Sequence, residues 1–164
     1  MRSLISLLHS HKASPIDLLD SQLFDERTFY RAFIRDLKRC QSEVIIESPY
    51  MTTARLIILL PVFRRLIKKG VAVRINTRFP GHHDERLRIQ AWTAAKQLKK
   101  VGVKVRFFRD YNHRKIAALD KQILWEGSLN ILSQSNSREV MRRIESRQLT
   151  EQMVCFLRLQ RFYW

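Results

Sequence analysis

The 164-residue sequence is short of glycine, proline and cysteine, with four, four and two of them. So little glycine and proline, beside 45% hydrophobic residues, excludes collagen-like repeats and a chain too polar to build a core. Two cysteines cannot staple a disulfide-rich secreted scaffold. Cys40 and Cys155 show no CxxC spacing and read as reduced, partly buried thiols. No run approaches the ~18 apolar residues of a membrane span, so integral membrane association is not expected. The apolar opening at Leu4–Leu8 is too brief for a signal core of ~7–15 residues, and His9 and His11 follow where small residues should lead to cleavage. The sequence therefore points to the cytoplasm.

Acidic residues are the remaining scarcity. Lys and Arg number 31 against 15 Asp and Glu, a net charge of +16. Residues 1–50 hold seven of each sign, residues 51–100 twelve basic against two acidic, and residues 101–164 twelve against six. A solvated helix face absorbs some of this, but an excess of ten within fifty residues goes further. It marks a polyanion-binding surface in the later chain, with nucleic acid ahead of acidic membrane as the partner.

A chain of this length favours a single domain. Apolar spacing predicts a helix over about Asp25–Cys40 and a buried strand over Glu43–Ser48, stopped by Pro49. Thr52 or Thr53 caps a second helical segment that ends at Gly70, with Pro61 expected to kink it or split it. Val71–Ile75 alternates as a strand, Thr77–His83 forms a loop, and Asp84–Val101 is helical. Strands follow at Val103–Phe108, Lys115–Leu119, Gln122–Glu126 and about Glu139–Ile144, then a helix from about Thr150. This alternation predicts an α/β domain: a mixed sheet with parallel neighbours and helices on both faces.

The chemistry concentrates between His113 and Glu139. His113-Arg114-Lys115-Ile116-Ala117-Ala118-Leu119-Asp120 reads H-x-K-x-x-x-x-D, and Gly127-Ser128-Leu129-Asn130 follows as G-S-x-N. On a strand, residues i and i+2 share a face, so His113 projects with Lys115, and Ser128 with Asn130. Side by side, these edges give an imidazole nucleophile or base among donors for a phosphate's non-bridging oxygens. Asp120 is an odd number of residues from His113, so it faces away and fixes the turn or a neighbouring backbone.

With these residues the sequence resembles the phospholipase D superfamily, and within it the single-motif nuclease branch and the phospholipase D-like domains attached to some helicases. The resemblance covers about Glu43–Ile144, including Ser48-Pro49-Tyr50 and Thr77-Arg78. It implies a phospholipase D-like sheet and a phosphohistidine formed on His113. It also implies that Lys115 and Asn130 hold phosphate oxygens, with Ser128 beside them, that Glu139 orients the histidine, and that Asp120 is the motif's structural aspartate. The division it suggests is a helical segment over 1–42 packed on a catalytic domain over 43–164. H-x-K occurs once only, so the second histidine that protonates the leaving oxygen must come from another copy, and a homodimer is expected.

His82-His83-Asp84-Glu85 could ligate a metal, but adjacent residues rarely converge on one ion, and a loop near the substrate groove is the expected role. No metal and no cofactor is called for. The leading function is a metal-independent phosphodiesterase on DNA, with RNA second, of little sequence preference. A non-cleaving nucleic-acid-binding module of a helicase or mobile-element system is the alternative, and a phospholipase stands third.

Overall fold

The computed structural model describes residues 21–133 and 136–159. The apolar opening and the aromatic end Phe162-Tyr163-Trp164 lie outside the described residues. Strands β1 (Ser21–Asp25), β2 (Glu43–Glu47), β3 (Ala72–Arg78), β4 (Lys104–Phe108), β5 (Ile116–Leu119), β6 (Ile123–Gly127) and β7 (Val140–Glu145) form one sheet in the order β1-β7-β6-β5-β2-β3-β4. β2, β3 and β4 are parallel, and every other pairing is antiparallel. Helices α1 (Phe29–Arg39), α2 (Thr53–Lys68), α3 (Glu85–Lys100) and α4 (Arg147–Phe156) cover its faces. The fold is therefore the mixed α/β sheet that the sequence predicts. Among the described residues no helix is long and apolar enough to cross a membrane.

The two faces bury different clusters. Val44, Ile46, Val73, Ile75 and Trp125 face α1–α3, whereas Ile45, Ala118, Leu124 and Ile144 face α4. Trp125 is fully buried, with Phe29 and Phe33 edge-on at 5.2 and 5.9 Å. Beside it Arg143 Nε lies 2.6 Å from Asp36 Oδ2, which also accepts from Trp125 Nε1. Removing one partner of such a buried pair costs about 3–5 kcal/mol, because the other charge is left without compensation.

Several local expectations are revised. Ser21–Asp25 adds an edge strand on β7 within the segment 1–42 read as helical, and α1 starts only at Phe29, not at about Asp25. The reason is local: Asp25 Oδ1 accepts from the amides of Arg27 and Thr28, which turns the chain before the helix can begin. Helix α2 runs unbroken past Pro61 instead of splitting, capped by Thr52 accepting from Arg55 N. β3 continues through Thr77 and Arg78, so the expected loop shrinks to Phe79–His83, tightened by a 3₁₀ turn at Pro80–His82. Asp120 and Lys121 both sit at positive φ, 51° and 56°, in the three-residue turn that closes the β5–β6 hairpin, where Gln122 N donates to Leu119 O.

Candidate active site

The topology brings one set of chain ends to a single edge of the sheet. With β5 and β7 antiparallel to β2, β3 and β6, the C-terminal ends of β2, β3, β4 and β6 meet the N-terminal ends of β5 and β7. His113–Lys115, Gly127–Asn130, Ser48–Tyr50, Arg78 and Glu139 therefore all collect at that edge.

His113 and Lys115 come together, although not as strand residues, since β5 begins only at Ile116. Lys115 folds back so that its Nζ lies 2.6 Å from His113 Nδ1, 3.5 Å from Nε2 and 2.8 Å from the His113 carbonyl oxygen. Partial burial, then the positive charges of Lys115 and Arg78, hold the His113 imidazole below its ordinary value of 6.5. Burial likewise lowers Lys115, and Glu139 opposes that shift. These effects favour the uncharged ring, the form in which an imidazole can act as a nucleophile.

Arg114 points away from this pair. Its Nε lies 2.6 Å from Oε2 of Glu47, and Asn112 Nδ2 and Asn76 Nδ2 donate to the same carboxylate at 3.4 and 3.3 Å. The residues on either side of His113 are thus tied to a buried acid at the end of β2. Glu47 and its clamp escaped the sequence reading. Its one signal is an acidic residue directly after the apolar run Val44-Ile45-Ile46 of β2.

Gly127 lets the next segment turn. A Cβ there would collide with the Val140 carbonyl oxygen and come within 2.9 Å of Met141 Cα. Ser128 then exchanges bonds with Val140, donating its amide at 3.0 Å and accepting on Oγ at 3.1 Å. Asn130 is half-buried, and its Oδ1 has no partner among the described residues. Ser48 joins this loop to the end of β2, because its Oγ accepts from Leu132 N at 3.2 Å. Glu139 accepts from Ser137 Oγ at 2.9 Å, and among the described residues no hydrogen bond joins it to His113. Within one chain the expected Glu139–His113 contact is not formed.

Asp120 is not at the site. It lies at the opposite end of β5, where its carboxylate accepts from the amides of Gln41, Ser42 and Glu43 and from Ser42 Oγ, all within 2.9 Å. Four strand residues separate the two ends, roughly 13 Å at ~3.3 Å per residue. Asp120 lies away from the site because of the length of β5, not because of alternation, and its carboxylate holds backbone amides. Arg64 and Arg65 also lie away from the edge, because α2 starts at the site and carries its last turns to the far side.

Tyr50, Arg78 and His83 complete the surroundings. The Tyr50 ring lies 5.9 Å from that of His113 and 5.1 Å from that of His83, and Arg78 Nη1 donates to Tyr50 Oη at 3.4 Å. Beside Lys115 a depression of about 480 Å³ is lined by Leu23, Glu126, Gly127, Val140 and Arg142.

Residues 33–159 match the family model described as cardiolipin synthase, PLD-like domain. No curated protein matches the chain. Among solved structures, the fold is similar to that of Nuc, a phospholipase D family member from Salmonella typhimurium, at TM-score 0.66 and 16% identity over 82% of this chain and 88% of that one. It is similar to that of NucT from Helicobacter pylori at TM-score 0.68 and 18% identity, over 85% and 94% of the two chains. TrmBL2, an archaeal chromatin protein with a novel mode of DNA binding, matches at TM-score 0.57 and 11% identity over 82% of this chain and 49% of its own.

Proposed function

Because this chain belongs to the family of cardiolipin synthase PLD-like domains, we propose that it is a metal-independent phosphodiesterase that cleaves nucleic acid through a phosphohistidine on His113. The observation that carries this reading is the His113 imidazole held 2.6 Å from the Lys115 ammonium at the sheet edge, on a chain with net charge +16.

The short Lys115–His113 contact defines the resting arrangement. An ammonium donating to Nδ1 leaves the ring proton on Nε2, so that nitrogen is not yet nucleophilic. An incoming phosphodiester competes for the ammonium and draws Lys115 onto a non-bridging oxygen. Solvent then takes the proton from Nε2 and returns one to Nδ1, so that Nε2 carries the lone pair. Asn130 and Ser128 supply further donors to the phosphoryl oxygens, which is where charge grows in the transition state. Attack forms an N–P bond and breaks the P–O bond to the leaving sugar oxygen, which takes a proton from the imidazolium of the partner subunit's His113. That second imidazole then removes a proton from water, the hydroxide displaces His113 from phosphorus, and both rings return to their starting states.

The second histidine requires a homodimer. Leu23 and Val140, 68% and 49% exposed beside Lys115, offer an apolar rim for the second copy. In that dimer Glu139 orients the histidine, a contact that one chain alone does not make. The basic surface supplies affinity through phosphates and little sequence preference.

The test is incubation of purified protein with plasmid and with single-stranded DNA in excess EDTA. Cleavage is expected to persist, since the nucleophile is a side chain and no metal-activated water takes part. Activity abolished by chelator and restored by Mg²⁺ would overturn the phosphohistidine. Binding without cleavage under any condition would favour the alternative of a non-cleaving DNA-binding module.

A further inference from the structure

Among the described residues Phe29, Phe33, Phe63 and Trp125 are buried in the core, but at the active edge a group of rings reaches the surface. Tyr111 is 80% and Trp92 45% exposed. They belong to one run of neighbouring rings that starts at the catalytic histidine. From His113 the run passes to Tyr50, whose hydroxyl accepts from Arg78, and the Arg78 guanidinium lies 4.6 Å from the centre of the Tyr111 ring. The His82 ring lies near-parallel to Tyr111, 21° apart in plane and 6.0 Å between centroids. Phe79 follows at 5.6 Å from His82, and then Trp92 at 5.9 Å from Phe79.

We infer that this run is a stacking platform and that the site takes an unpaired nucleic-acid strand, whose bases lie on Tyr111, His82 and Trp92 while its backbone crosses His113. The inference rests on the phosphodiesterase reading for its location and on the rings for its content. A duplex presents phosphates and base edges, and its base faces are buried in its own stack, so exposed rings have nothing to meet. An unpaired strand offers one π-face per nucleotide, and a ring that stacks on it contributes about 1–3 kcal/mol whatever the base.

Cations are interleaved as such a track needs. Arg78 sits between His113 and Tyr111, the Arg109 guanidinium lies 5.9 Å from the centre of the Phe79 ring, and Lys99 Nζ lies 5.5 Å from that of Phe107. The platform is also held in place. Phe79 N donates to Phe108 O at 2.8 Å, and the 3₁₀ turn at Pro80–His82 fixes His82 opposite Tyr111. This gives the paired histidines of the Phe79–His83 loop a role as rings, without a metal.

The experiment uses the His113→Ala protein, so that binding is read without turnover. Fluorescence anisotropy at one fixed salt concentration compares a labelled DNA strand, the RNA strand of the same sequence and the DNA duplex. Single strands are expected to bind at least ten-fold tighter than duplex, and adding Tyr111→Ala should cost about ten-fold on a single strand with little effect on duplex. Tyr111→Phe should restore the affinity, and Trp92 emission, read in a Trp164→Phe background with Trp125 buried, should quench on binding. Whichever of DNA or RNA carries the Tyr111-dependent affinity is the strand the platform serves. Equal loss on strand and duplex, or no loss with either Tyr111→Ala or Trp92→Ala in protein that melts like the parent, overturns the platform. Tyr111-dependent binding by a parent that cuts nothing supports the platform and removes the phosphodiesterase reading. A parent that cuts strand and duplex at a ratio Tyr111→Ala leaves unchanged does the opposite.

Discussion

Arg114, the residue between His113 and Lys115, turns inward and sets its Nε 2.6 Å from Oε2 of Glu47, a carboxylate only 1% exposed. Asn112 donates to the same carboxylate from the other side of His113. The short segment that carries His113 is therefore anchored one residue before it and one residue after it to a single buried acid.

Glu47→Gln should loosen that anchor while keeping shape and volume. We expect kcat to fall about ten-fold or more with KM little changed, because phosphate affinity is spread over many basic residues while the histidine loses its position. Single-turnover kinetics with thermal melting in parallel separate this from unfolding. A variant that loses stability but keeps kcat would make the cluster purely structural.

How much of this was legible in the sequence follows from the range of each interaction. His113, Lys115, Ser128 and Asn130 are close in sequence, and their placement at one sheet edge follows from two short strands and the tight turn between them. Asp120 was readable as a turn residue from the Asp120-Lys121 pair, but the amides it holds, those of Gln41, Ser42 and Glu43, were not, because they lie 77 to 79 residues away. The Glu47–Arg114 pair was not, because it joins residues 67 apart through a β2–β5 pairing that no local pattern encodes. β1 was missed for a similar reason: Ser21–Asp25 has little β-branched content and is a strand only because β7 is there to pair with it. The rings of the Phe79–His83 loop were visible, but their alignment with Tyr111 needed the tertiary structure.

The pH dependence of cleavage should carry the mark of Arg78. Burial and then two positive neighbours keep His113 below 6.5, so the acid limb of kcat/KM should lie below that value. Arg78→Gln removes one of those charges, the imidazolium becomes easier to form, and the limb should move up in pH. A limb that stays in place would show that the Arg78 charge does not reach the nucleophile.

Asp120 makes a prediction about stability rather than rate. Burial pushes its carboxyl up, but three backbone amides and the Ser42 hydroxyl outweigh this and hold it below 3.8. The charged form therefore stabilises the fold: the contribution is complete above the unfolded pKa and is lost as pH falls through the folded one. Asp120→Asn should cost about 1–2 kcal/mol in urea unfolding at neutral pH, with the gap to the parent closing on acidification. A gap that is constant with pH would assign the loss to shape rather than to charge.

If two copies share one site, His113→Ala protein should poison the parent. After equal mixing and subunit exchange, about a quarter of dimers hold two intact histidines, so activity per parent chain should fall by about half. Undiminished activity per parent chain would show that each chain works alone.

The most direct test is to trap the intermediate. Protein in excess EDTA is mixed with a phosphodiester radiolabelled at the scissile phosphate, quenched in alkali, digested and mapped. We predict label on His113, stable to alkali and released by mild acid, and none on the His113→Ala protein. Substrate cleaved in full without label on His113 at any quench time, or label on another residue, would contradict the account.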